Sequence, residues 1–209
     1  MDWLYQIPIL IFSIILHEYA HGRMAELRGD DTARVMGRLT FNPIPHIDLV
    51  GSVILPLIAA LTGAPLIGWA KPVPVNPYRL HNPSRDMMFV GAAGPLANLV
   101  FAVACAFILY FIRLAGIYDD IIFSFLKYAV VINVLLPLFN LVPIPPLDGS
   151  RILAGLLPPR IAYEYMKIEP YGIFIIFFLV STGFFWRLIL PVVYFIVGML
   201  LGGWRWYVS

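Results

Sequence analysis

The chain has 209 residues, of which 61% are hydrophobic and 12% charged, with a formal net charge of +2. That balance excludes an ordinary soluble domain and describes an integral membrane protein. It also shows no basic face or aromatic motif for a nucleic-acid partner. The one cysteine, Cys105, rules out an intrachain disulfide and a thiolate zinc cluster, and is expected to pack as a small core hydrophobe.

Apolar runs cover residues 3–22, 47–68, 87–115, 121–145 and, with an interruption, 171–203. A membrane span needs about 20 such residues. The first run begins Met1-Asp2-Trp3, without a basic leader, and ends in charged residues, so it is expected as a retained first helix rather than a cleaved signal. Residues 33–46, "ARVMGRLTFNPIPH", suggest a short edge strand or β-hairpin. Residues 67–85 carry too many prolines for helix or central strand and read as a surface connection. Gly91, Ala92, Ala93, Gly94 and Ala97 form a small-residue face that lets membrane helices approach closely. "PPLDGSRILAGLLPPR" reads as a helix break followed by a short interfacial helix. Arg187 splits the tail into two shorter helices, roughly 170–183 and 187–203.

Basic residues cluster after the first run (Arg23, Arg28, Arg34, Arg38), before the third (Lys71, Arg79, Arg85) and after the fourth (Arg151, Arg160, Lys167). Short positive loops mark the cytoplasmic side, so the first helix runs from outside to inside. The loop holding Asp119 and Asp120 is then external.

Within "HEYAHG", His17 and His21 are four residues apart and share a helix face, where both imidazoles can aim at one point. Glu18 projects about 100° away from His17, the placement of a general base in H-E-x-x-H metalloproteases. Burying two imidazoles and a carboxylate in an apolar helix costs several kcal/mol unless they are paired or metal-bound, which favours a metal site. A hydrolytic zinc site needs a third protein ligand and an open position. Glu26 lies on the wrong helix face, whereas Asp148 follows a proline-broken helix end at Pro143, Pro145 and Pro146; taken alone, Asp148-Gly149 reads more readily as a helix-ending turn than as a ligand.

"HEYAHG", "NLVPIPPLDG" and "GPLAN" together resemble the motifs of the site-2 protease family of intramembrane zinc metalloproteases. The resemblance covers roughly residues 10–155 and implies that His17, His21 and Asp148 bind one Zn2+ per chain and that Glu18 activates water. It also implies that Asn140 holds the substrate backbone or the oxyanion. The expected activity is zinc-dependent endoproteolysis within or near the transmembrane segment of a membrane-protein substrate. The alternatives are a non-enzymatic metal transporter or channel, or a catalytically inactive membrane-protein binder. Asn98 of "GPLAN" either bonds across the helix contact or serves the active site, and the structural role is preferred. His46 and His81 lack paired ligand spacing and are expected at the surface.

The expected fold is an all-α polytopic membrane protein with about five transmembrane helices, a re-entrant segment and the β-hairpin or edge strand. Residues 1–160 form the metalloprotease core and 161–209 a C-terminal helical pair, with no separate soluble domain and no PDZ or CBS domain. The protein is expected in the plasma (cell inner) membrane, multi-pass, in contact with the lipid bilayer and with its active site towards the cytoplasm. Its oligomeric state is left open. For His17 and Asp148 to meet, an odd number of complete crossings must separate the first and fourth runs, so residues 47–66 are expected to be re-entrant.

Overall fold

A computed structural model describes residues 3–54, 61 and 70–202. Among the described residues, the apolar runs that begin at 3, 87, 121 and 171 fold as helices, which satisfy backbone polar groups internally where no water is at hand. They are α1 (Trp3–Leu27), α2 (Thr32–Val35), α3 (Pro83–Leu114), α4 (Asp120–Asn140), α5 (Asp148–Leu156), α6 (Pro159–Met166), α7 (Glu169–Ser181) and α8 (Phe184–Leu201).

Helix boundaries follow local chemistry. Pro83 opens α3, and Asp86 in its first turn accepts the Asn82 N–H at 2.7 Å. Asp119 caps α4 by accepting from Ile122 N at 2.9 Å. The α4 helix stops at Asn140, ahead of Pro143, Pro145 and Pro146, as the prolines require.

Three helices among the described residues, α3, α4 and α8, are long and apolar enough to cross a membrane, rather than the expected five or so. The α7 helix is apolar but only 13 residues long, because the chain turns at Gly183, whose φ of 72° is left-handed. The tail therefore divides at Thr182-Gly183. The short strand expected within 33–46 is absent: Thr32–Val35 is a helical turn, Ile44–His46 is a 3-10 turn, and no strand occurs among the described residues. Pro43 and Pro45 lack the N–H groups that a ladder needs, and the β-compatible residues find no partner strand among the described residues.

Packing centres on α3, which touches α1, α4 and α5, while α4 also touches α1 and α8. The apolar core joins Ala102 and Leu109 of α3, Val130 and Val134 of α4, and Val193 and Val197 of α8. Hydrogen bonds give the helix directions. His21 meets Val90 and Ser13 meets Asn98, so α3 runs against α1. Asn133 meets Ser13 and the following Asp148 meets His17, so α4 runs with α1.

Residues 70–76 cross the end of α1 as an extended strap. Lys71 N donates to His46 O at 2.9 Å, and Arg38 Nη2 donates to Lys71 O at 2.8 Å. Asn76 N donates to the buried Asp30 carboxylate at 2.6 Å. His46 is not a surface residue; it is only 3% exposed, with Nε2 3.0 Å from Thr40 O and its backbone carbonyl accepting from Lys71 N. His81 is exposed. Most of the segment 47–66 lies outside the described residues, which include its π-helical turn Leu49–Ile54.

Candidate metal centre

One turn of α1 places His17 and His21 on the face that meets α3, where both are buried. Asp148 arrives from the other direction, as the first residue of α5 after the proline-rich turn. His17 Nε2 lies 2.9 Å and His21 Nε2 3.2 Å from Asp148 Oδ2. One ligand atom from each of the three residues can be chosen so that all lie within 4.8 Å of one another. Ligand atoms of a tetrahedral zinc with bonds of about 2.0–2.1 Å are about 3.3 Å apart, so this donor set fits the ion.

The space between the imidazoles is kept open by Gly94. A Cβ there would lie 2.4 Å from His21 Nε2 and 2.6 Å from His17 Nε2. Gly91, one turn earlier, allows α3 to approach α5, since its Cβ would sit 3.1 Å from Asp148 O. The expected small-residue face therefore serves both packing and the site.

The far nitrogen of each imidazole is also held. His21 Nδ1 is 2.6 Å from Val90 O, a backbone carbonyl that can only accept, so Nδ1 carries a proton, and in the neutral ring that binds a metal the Nε2 lone pair faces the centre. His17 Nδ1 is 2.6 Å from Asn98 Oδ1. Outer partners of this kind fix the orientation of metal-binding histidines.

Glu18 is half-buried, and its Oε2 accepts the Val73 N–H of the strap at 2.7 Å. Close approach of the strap depends on Gly22, where a Cβ would be 2.9 Å from Val73 Cγ1. Asn140, the last residue of α4, is half-buried and donates through Nδ2 to Leu136 O at 2.9 Å. That hydrogen bond goes to the α4 backbone and not to His17, His21 or Asp148.

The sequence reading did not single out Ser13, Asn133, the Val90 carbonyl or the Val73 N–H. Asn133 had a usable signal, being a lone amide in the apolar stretch "VVINVLL". The two backbone groups had none.

The model of the peptidase family M50 matches residues 5–122 and 115–181. The chain is 38% identical over 186 residues to "Putative zinc metalloprotease YwhC" of Bacillus subtilis (strain 168), covering 86% of this chain and 82% of that protein. It is 30% identical over 177 residues to "Putative zinc metalloprotease Rip2" of Mycolicibacterium smegmatis (strain ATCC 700084 / mc(2)155), covering 82% of this chain and 64% of that protein. Against the protein of the same name from Mycobacterium tuberculosis (strain ATCC 25618 / H37Rv), identity is 32% over 155 residues, 72% of this chain and 56% of that one. No solved structure matches the chain. With the family model spanning most of its length and a His-His-Asp donor set at its centre, the chain belongs to peptidase family M50 and is a membrane-embedded zinc metalloendopeptidase of the site-2 protease type.

Proposed function

We propose that this enzyme cleaves a peptide bond within or near the membrane-spanning segment of a protein substrate. The observation that carries the reading is the cluster of His17, His21 and Asp148, buried between α1, α3 and α5 of an apolar bundle. In this reading those three residues hold the zinc. Bound zinc supplies Lewis-acid chemistry for hydrolysis. Glu18 takes the proton of the attacking water and delivers it to the leaving amine. The Val73 N–H holds one carboxylate oxygen of Glu18, which restricts the rotation of the base. Asn140 offers its amide to a substrate carbonyl, exchanging its Leu136 O partner for it. A helical substrate must unwind to reach these groups, because its peptide carbonyls are otherwise covered by helix hydrogen bonds.

The same reading places residues 1–160 as the catalytic core, with 161–209 as a helical pair packed on it. It puts the site towards the cytoplasmic side of the cell's inner membrane, in line with the basic residues around the end of α1 and the start of α3. The Lys71 N to His46 O hydrogen bond joins the two ends of the stretch between them, which supports a path for 47–66 that returns to the side it left. The test is purified protein in detergent or vesicles with single-span membrane proteins as substrates. Cleavage within the span that requires zinc and is lost in Glu18→Gln is expected. Zinc binding without hydrolysis of any span would favour a binder or transporter.

A further inference from the structure

A buried polar chain runs away from the metal centre through three helices and is not part of the ligand set. Ser13 on α1, Asn98 on α3 and Asn133 on α4 are each 0% exposed. Asn98 Nδ2 donates to Ser13 O at 3.0 Å and to Asn133 Oδ1 at 2.7 Å. Asn133 Nδ2 donates to Ala129 O at 2.9 Å and to Ser13 Oγ at 2.7 Å. Ser13 Oγ in turn donates to Ile9 O at 2.8 Å.

The directions of these bonds are forced rather than chosen. Backbone carbonyls only accept, so the atom of Asn133 facing Ala129 O must be the amide nitrogen, and likewise for the atom of Asn98 facing Ser13 O. Asn133 then has its oxygen left for Asn98, and Asn98 has its oxygen left for His17. Both protons of each amide are used, and the Ser13 hydroxyl proton is committed to Ile9 O. The Asn98 oxygen, 2.6 Å from His17 Nδ1, accepts only if that nitrogen is protonated. In the neutral imidazole that binds a metal, Nε2 is then the nitrogen with the lone pair, and it is the one 2.9 Å from Asp148 Oδ2.

We propose that Asn133 and Asn98 are positioning residues, a relay that holds His17 in its Nδ1–H tautomer and so presents Nε2 to the zinc. Asn133 touches neither the histidine nor the metal-facing atoms; it acts by completing the bonds that keep the Asn98 amide from turning over. A helix-packing role alone would need the three helices to be joined, but not this direction of every donor. The relay rests on the ligand assignment above, since it matters only if His17 binds metal through Nε2.

The test measures zinc affinity of the detergent-solubilised full chain by chelator competition, for the parent protein, Asn98→Leu, Asn133→Leu and the double variant, with thermal unfolding of each zinc-free form as a check on folding. Loss of an outer partner of a metal ligand is expected to weaken zinc binding about 10- to 100-fold in each single variant. The double variant is expected to be no weaker than Asn98→Leu, because Asn133 acts through Asn98. A folded single variant with parental affinity, or a double variant whose losses multiply, overturns the relay. A readout free of any substitution is the nitrogen spectrum of the zinc-loaded parent labelled on its four histidines. His17 with a protonated Nδ1 is expected, and metal on Nδ1 overturns the proposal whether or not the variants fold. A parent chain that binds no zinc would instead refute the ligand assignment.

Discussion

The backbone N–H of Val73 donates to Glu18 Oε2 at 2.7 Å, so a residue 55 positions away in the chain holds the carboxylate next to His17. Val73 stands between Pro72 and Pro74, and a residue before proline already favours extended backbone. Val73→Pro therefore removes the donor with little change in the strap's path, whereas Val73→Ala keeps the donor and trims the packing on Gly22. A hydrogen bond to a charged group contributes about 1.5–3 kcal/mol, so Val73→Pro should lower kcat by about 10- to 100-fold with zinc content unchanged, and Val73→Ala should lower it far less. Equal effects of the two variants would assign the strap a packing role only.

Glu18→Gln keeps the shape of the side chain and its contact with the Val73 N–H, but cannot accept a proton. General-base catalysis contributes about 10²- to 10⁴-fold, so proteolysis should fall by that factor while zinc stays bound. Metal analysis beside a cleavage assay checks it, and parallel loss of metal and activity would make Glu18 a ligand instead.

Gly94→Ala places a methyl group 2.4 and 2.6 Å from the two Nε2 atoms. The imidazoles are held by Asn98 and Val90, so they cannot retreat without losing those bonds. Zinc binding should be abolished, with proteolysis following it. Alanine is otherwise a good helix residue, so α3 itself should remain folded by circular dichroism.

Asp148→Asn preserves the volume of the third donor and removes its charge. Zinc affinity should drop and proteolysis with it, while thermal stability of the zinc-free form should change little. Full zinc occupancy and full rate would remove Asp148 from the site.

The connection between α1 and α3 carries the topology. With Cys105→Ser as background, a cysteine in place of the exposed Arg79 should resist a membrane-impermeant thiol reagent in intact cells and react after the membrane is opened. Labelling in intact cells would put this connection, and the metal centre beside it, on the outer side.

The sequence by itself determined the helical, membrane-embedded class, the end of α4 ahead of its prolines, and the pairing of His17 with His21, while α3 begins at Pro83, inside the stretch 67–85 that its prolines had marked as a surface connection. The reason is that these are local: hydropathy over about 20 residues, prolines that end a helix, and a four-residue spacing that fixes one face. Asp148 was legible through its motif, although 131 residues separate it from His17. The tertiary structure decided what local pattern cannot express. Residues 33–46 have β-compatible side chains, yet a strand needs a partner ladder and none among the described residues reaches them. His46 has the sequence context of a surface loop residue, yet it is buried, with its ring on Thr40 O and its carbonyl on Lys71 N, contacts that no local spacing marks. The hold on Glu18 comes from a main-chain N–H, a group every residue but proline has, so no side-chain pattern marks Val73. The link from Asn133 through Asn98 to His17 exists only because α1, α3 and α4 meet in one register, and a hydrogen bond between helices depends on that register rather than on sequence spacing.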